Sequence, residues 1–263
     1  KTLGDLLDLD EIHVEFAPNL VPTVLDEATG LDARILNMRN HITTTFGLII
    51  PEVRLTDNIS LPQGGYVIRI QGVEVARSEI ETDKVLVILS DNTEHAPSGR
   101  SVSEPVYGAP ARWIDRDKQE EAALQGLSVV TATEVVATHL LEVIKQNFSR
   151  LFSRRSLRKL LDEFVTVSDT RRAEATRRLI DEFIPDKVPM ELLHSVLRIL
   201  LDERVSIRNL PLILETVAEA RLISTQPDVI CEVVRQRLGF QLVAEMNAQF
   251  KSAFRQFLFS QNF

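Results

Sequence analysis

A chain of 263 residues is too long for one ordinary hydrophobic core, so two or three folded units are expected. With 44% hydrophobic and 26% charged residues its composition is that of a globular protein, and a formal net charge of −8 argues against nucleic acid, whose phosphates require a basic face. No signal peptide opens it, and no apolar run approaches the roughly 18–20 residues that cross a bilayer.

Leu31 to Thr45 places Leu31, Ile35, Met38 and Ile42 at near-helical spacing and predicts an amphipathic helix. Phe46 to Arg54 turns β-like around Pro51. Tyr66 to Ile70 and Val73 to Arg77 alternate across Gln71-Gly72 and predict a hairpin, with a turn at Gln63-Gly64-Gly65 before it. Lys84 to Leu89 reads as an apolar strand, and Asp91 to Gly99 as a polar, turn-rich stretch.

The segment EPVYGAPARWI (104–114) is the most informative in the chain. It holds the sole tryptophan, Trp113, and one of two tyrosines, Tyr107. Pro105 and Pro110 stiffen the backbone on both sides of Tyr107-Gly108, which predicts a constrained extended loop leading into a short strand. Tyr107 is read as exposed and Trp113 as core. A loop that fixes an aromatic side chain in the open suits a binding surface.

Arg116 to Leu124 predicts a short helix stopped by Gly126, and Ser128 to Val130 a strand. A long helix is expected from about Thr133 to Phe152, capped by Thr131 or Thr133, with Glu134 favoured in its first turn by the helix dipole. From Ser156 onward the pattern is helical. Leu157, Leu160, Leu161 and Phe164 form one apolar stripe, and Leu192, Leu193, Val196, Leu197, Leu200 and Leu201 another; Pro185, Pro189 and Pro211 punctuate them. Pro211 suits a first helical turn. The cations Arg154, Arg155, Arg158, Lys159, Arg171, Arg172, Arg177 and Arg178 read as solvated helix surface paired with nearby acids, with a partner contact as the minor alternative. Cys231 can form no internal disulfide, which fits a reducing compartment, and its apolar setting points to a buried thiol. The shift near residue 152 from mixed α/β to all-helical patterning marks a domain boundary, and the fold class is α+β.

Catalytic signatures are lacking. There is no G-x-x-x-x-G-K-[ST] phosphate loop and no G-x-S-x-G elbow. His139 and Glu142 stand three apart on one helical turn, but no second histidine or cysteine cluster completes a metal site. No carboxylate pair sits in a strand-end, glycine-rich setting suited to acid–base work. The expectation is a non-enzyme without cofactor or metal.

The segment at 104–114 and the run VVATHL (135–140) resemble the cytoplasmic region of the export-gate family of flagellar and type III secretion systems (FHIPEP). LIIPEVRLTDN (48–58), IQGVEVAR (70–77), LLDERVSIRNL (200–210) and ILETV (213–217) agree with it, in order, from about Leu6 to about Leu242. The resemblance implies a first α/β domain made of residues 1–83 and 132–151, with a small α/β subdomain, 84–131, inserted into it. A helical domain, 152–231, and the start of a truncated or atypical fourth part, 232–263, complete the arrangement. The phenylalanine-rich tail from Asn247, with Phe250, Phe254, Phe257, Phe259 and Phe263, departs from the family pattern. Exposed aromatics there would be sticky.

The same resemblance implies function. Family members are anchored by a multi-span portion outside this segment. Below the bacterial inner membrane, their cytoplasmic region forms a ring, usually of nine copies, that receives export chaperone–substrate complexes and meets other export-apparatus proteins. Carried over by motif, the chaperone-binding positions are Glu104, Tyr107 and Thr138, with Val130 and Val135 lining an apolar floor and Glu104 at the rim. The YGxPxRWI and VVATHL segments favour the flagellar branch. The alternative is a ring-forming scaffold of a virulence injectisome without cargo recognition at this site.

Overall fold

The computed structural model describes residues 2–89 and 95–261. It is an α+β fold whose chain divides into two units, residues 1–42 with 50–147 and residues 43–49 with 148–263. Residues 91–94 of the expected turn-rich stretch lie outside the described set, as do the side chains of Phe254, Phe257 and Phe259 and the whole of Phe263.

In the first unit, α1 (Leu3–Leu7) is closed by a Thr2–Asp5 capping box, and β1 (Ile12–Phe16) follows. A 3₁₀ turn at Pro18–Leu20, α2 (Val21–Val24) and α3 (Leu31–Phe46) then carry the chain to β2 (Val53–Asp57), parallel to β1. A parallel pair needs such a helical crossover. The buried residues of α3 are Leu31, Ile35, Met38 and Ile42, as its spacing predicts. β3 (Gly65–Ile70) and β4 (Val73–Glu79) form the expected hairpin, and the sheet order is β2-β1-β3-β4. Gln71 and Gly72 both have positive φ, 50° and 79°. That is the type I′ geometry matching the right-handed twist of paired strands. Ile12, Val14 and Phe16 pair with Ile70, Ile68 and Tyr66, and all six side chains are buried on one face.

β5 (Lys84–Ile88), β6 (Arg100–Ser103), β7 (Pro110–Asp115) and β8 (Ser128–Thr131) make a second, antiparallel sheet of order β6-β7-β5-β8, all within residues 84–131. Strand alternation divides β5 between two faces. Val85 and Val87 pack with Ile114 and with Ala122 of α4 (Gln119–Leu124), while Leu86, paired with Trp113 and Val130, points the other way. Trp113 is buried, as expected. A left-handed Gly126 (φ 75°) turns the chain from α4 into β8.

Thr131 caps α5 (Ala132–Gln146) through a complete capping box with Glu134. This helix is shorter than expected. It stops at Asn147, whose amide nitrogen donates to the Val143 carbonyl at 2.7 Å, and a separate turn, α6 (Phe148–Leu151), follows. An asparagine side chain that bonds the backbone competes with helix propagation. The division between units accordingly falls at residues 147 and 148 rather than 152.

The second unit is helical: α7 (Arg154–Phe164), α8 (Thr170–Phe183), α9 (Met190–Asp202), α10 (Leu210–Arg221), α11 (Pro227–Arg237) and α12 (Gly239–Gln261). α9 packs on α6 and α11, and α10 on α8 and α11. Pro211 occupies the first turn of α10, where its missing N–H costs nothing. Cys231 is buried on α11, and burial pushes its thiol up to about 11. Glu232, expected to open a fourth part, lies inside α11 between the buried Cys231 and Val234. Of the eight cations on α7 and α8, Arg154 pairs with Glu191 at 2.6 Å. The other seven are exposed without an ion pair among the described residues, so their expected pairing with acids is not seen.

Candidate functional site

Residues 104–109 join β6 to β7, and one side chain holds this loop in shape. Glu104 is buried, and its carboxylate accepts from the backbone N–H of Val106 at 2.6 Å, Tyr107 at 2.8 Å and Ala109 at 2.9 Å. Its own N–H donates to the Ala109 carbonyl at 2.9 Å, and its carbonyl accepts from Gly108 at 3.1 Å. Gly108 supplies the left-handed residue, φ 73°, that lets the chain close on the carboxylate. The expectation that Glu104 stands at a rim, free to bond a partner, is therefore corrected. The apolar side chains and prolines of this loop offer its backbone N–H groups no acceptor, and the buried carboxylate supplies one from within.

The result is a fixed aromatic. Tyr107 is 76% exposed while the residue that anchors its loop is 6% exposed. Beside it lies a cavity of about 230 Å³ lined by Leu86 and Ile88 of β5, Val130 of β8, Glu104, Val106, Tyr107 and Ala109 of the loop, and Glu134, Val135 and Thr138 of α5. All five residues singled out from the sequence line this one pocket: Glu104, Tyr107, Val130, Val135 and Thr138. Val135 is buried, Val130 half-buried and Thr138 exposed. The Thr138 hydroxyl donates back to the Glu134 carbonyl at 2.8 Å, so its methyl group is what remains for the pocket wall.

Sequence reasoning missed Leu86, Ile88, Val106, Ala109 and Glu134. The signal for the first two was present, because alternation in Lys84–Ile88 separates Leu86 and Ile88 from Val85 and Val87. Which face stays open was not encoded in that alternation. Glu134 was read only as a first-turn acid favoured by the helix dipole; it also closes the capping box, one oxygen accepting from the Thr131 N–H at 3.0 Å. The other meets Arg34 of α3 at 3.2 Å, with each side chain 35% exposed.

Behind the pocket a buried polar pair braces α5 against β3. The Tyr66 hydroxyl lies 2.7 Å from Nδ1 of His139, the rings meeting edge to face. Burial lowers the pKa of His139 below its usual value, and the charge of Glu104 opposes that only in part. Burial likewise raises that of the Tyr66 hydroxyl. His139, considered above with Glu142 as metal ligands, is thus engaged in a structural hydrogen bond.

Residues 1–260 match the FHIPEP family. The chain belongs to that family. It is 35% identical over 247 residues to the flagellar biosynthesis protein FlhA of Bacillus subtilis, covering 93% of this chain and 35% of that protein. It is 36% identical over 239 residues to FlhA of Yersinia enterocolitica, covering 90% and 33%. The chain thus spans about a third of the length of the curated relatives it matches. Among solved structures, it resembles the Chlamydia pneumoniae CdsV protein with a TM-score of 0.74 at 20% identity, covering 89% of this chain and 67% of that one. It also resembles the nonameric SctV-C of EPEC, with a TM-score of 0.60 at 16% identity, covering 88% and 65%. No helix among the described residues is long and apolar enough to cross a membrane.

Proposed function

We propose that this chain is the cytoplasmic docking platform of a flagellar type III protein export gate, and that the pocket beside Tyr107 receives export chaperones carrying their substrates. The pocket carries the proposal: a preformed apolar notch, walled by a sheet face and a helix, with one exposed aromatic fixed at its mouth. Such a notch takes one apolar side chain from an amphipathic helix, as in helix-in-groove recognition. Burying a leucine- or phenylalanine-sized anchor stabilises by about 1.5–3 kcal/mol. That suits a carrier that must dock and leave. No bond is made or broken in this reading.

Family membership and the FlhA relatives support the export-gate setting, with the chain on the cytoplasmic side of the inner membrane and other export-apparatus proteins as neighbours. Assembly into a nine-membered ring is proposed from the likeness to nonameric SctV-C. The flagellar branch is supported by identities of 35–36% to FlhA proteins, against 16–20% to the secretion-system structures.

Calorimetry with flagellar chaperone–substrate complexes tests the reading. Tyr107→Ala removes an exposed wall and should weaken binding about five- to thirtyfold, the range of a 1–2 kcal/mol contact residue, without changing stability. Thr138→Met pushes a longer side chain into the notch and should weaken binding about tenfold or more. Unchanged affinity in two folded variants would remove the pocket from the function.

A further inference from the structure

The charge around the notch says what should flank the anchor. Its lining residues include two acids, Glu104 and Glu134, and no base. Glu134 is partly offset by Arg34 at 3.2 Å. Glu104 has no cation within ion-pair distance among the described residues. Three backbone N–H groups satisfy its oxygens but leave its negative charge uncancelled in an apolar wall. That charge works against the lowering of the His139 pKa by burial, and for Tyr66 it adds to the raising by burial as a lesser influence than the Ser78 hydrogen bond. In surroundings of low polarity an unbalanced charge acts over a longer distance than it does in water. The third element is Tyr107, whose ring is 76% exposed at the same mouth and offers a face to a cation.

We infer that the pocket selects a helical segment whose apolar anchor is followed, one turn along, by a basic side chain, arginine above all. Arginine stacks on an aromatic ring better than lysine does, and its guanidinium can pair with Glu134 while its stem covers apolar wall. An acidic residue at that place meets two carboxylates and is rejected, so the charge serves specificity as well as attraction. This inference rests on the docking reading above and specifies its ligand.

The test uses fluorescein-labelled helical peptides and the full chain, read by fluorescence anisotropy. Each peptide carries one leucine anchor and, four residues on, arginine, glutamine or glutamate. The arginine peptide is expected to bind about fivefold or more tighter than the glutamate peptide, with glutamine between, since each partly exposed charge contact contributes about 0.2–1 kcal/mol and the two peptides differ in sign. At about 0.5 M salt the ratio should fall towards one. In Glu134→Gln it should shrink, because the amide oxygen still accepts from the Thr131 N–H and keeps the helix cap while the charge is gone. Tyr107→Ala should weaken every peptide, which places them in the notch. Equal binding of the three, still lost in Tyr107→Ala, would overturn the inference and leave the docking reading standing. A glutamate peptide that binds tighter would overturn it too. Binding by none of them, or indifference to Tyr107→Ala, would sink both.

Discussion

Replacing Glu104 by glutamine probes the joint on which the pocket depends. In the folded loop one carboxylate oxygen accepts from Val106 at 2.6 Å, and the other from Tyr107 at 2.8 Å and Ala109 at 2.9 Å. Glutamine has the same shape but offers one acceptor oxygen and one NH₂ group. If the oxygen keeps Tyr107 and Ala109, the Val106 N–H faces a donor; if it turns to Val106, two N–H groups do. Either way a buried donor is left unmet, at a cost of about 1–3 kcal/mol, and the charge assistance of the surviving bonds is lost as well. At 1.4 kcal/mol per decade that corresponds to an opening of the loop about 5 to 150 times more frequent than in the parent. Hydrogen exchange at the amides of Val106, Tyr107 and Ala109 reads this directly, since exchange there requires the loop to open. Exchange should speed up by that factor in Glu104→Gln and further in Glu104→Ala, while amides of the helical unit keep their rates. Unchanged protection in both variants would show that the loop is held by its prolines and strand ends alone, and the account of a buried anchor would be wrong.

Tyr66→Phe strips the hydroxyl from His139 and leaves its Nδ1 buried without that partner; denaturant unfolding should show a loss of about 1–3 kcal/mol, and no loss would mean the pair is not a brace. Because the folded pKa of His139 lies below its usual value of 6.5, the unfolded chain binds the proton more readily. Its contribution is therefore fully present above pH 6.5 and lost as the pH falls through the folded pKa, and an NMR titration placing this ring at or above 6.5 would contradict the burial argument. Gly72→Ala puts a side chain at φ 79°, with its Cβ 3.2 Å from Leu9, and should cost about 1–2 kcal/mol in an unfolding experiment; a neutral result would mean the turn relaxes without strain.

Local patterns carried much of this protein. The positions of α3 and of the β3–β4 hairpin follow from spacing and turn chemistry that a few neighbouring residues express by themselves. The Thr131–Glu134 capping box is equally local, as is the constraint that two prolines and Gly108 place on Tyr107. β1 escaped notice even though Ile12, Val14 and Phe16 alternate, because a five-residue strand has no meaning until Tyr66, Ile68 and Ile70 come to lie beside it. The end of α5 at Asn147 was equally hidden, since a helical apolar pattern runs on past it to Phe148 and Leu151.

What the chain determined by itself was which side chains a loop and a helix present, because rotation about the backbone and the period of a strand or helix act over a few residues. Tertiary structure decided what those side chains became. Glu104 reads as a surface acid until the backbone of its own loop folds around it, and solvent exclusion then turns it into an internal anchor. Leu86 and Val85 are equivalent apolar neighbours along β5, and only the packing of α4 against one face leaves the other to wall the pocket. A cavity is a property of surfaces brought together from β5, β8, α5 and the loop, and no single stretch of sequence contains it.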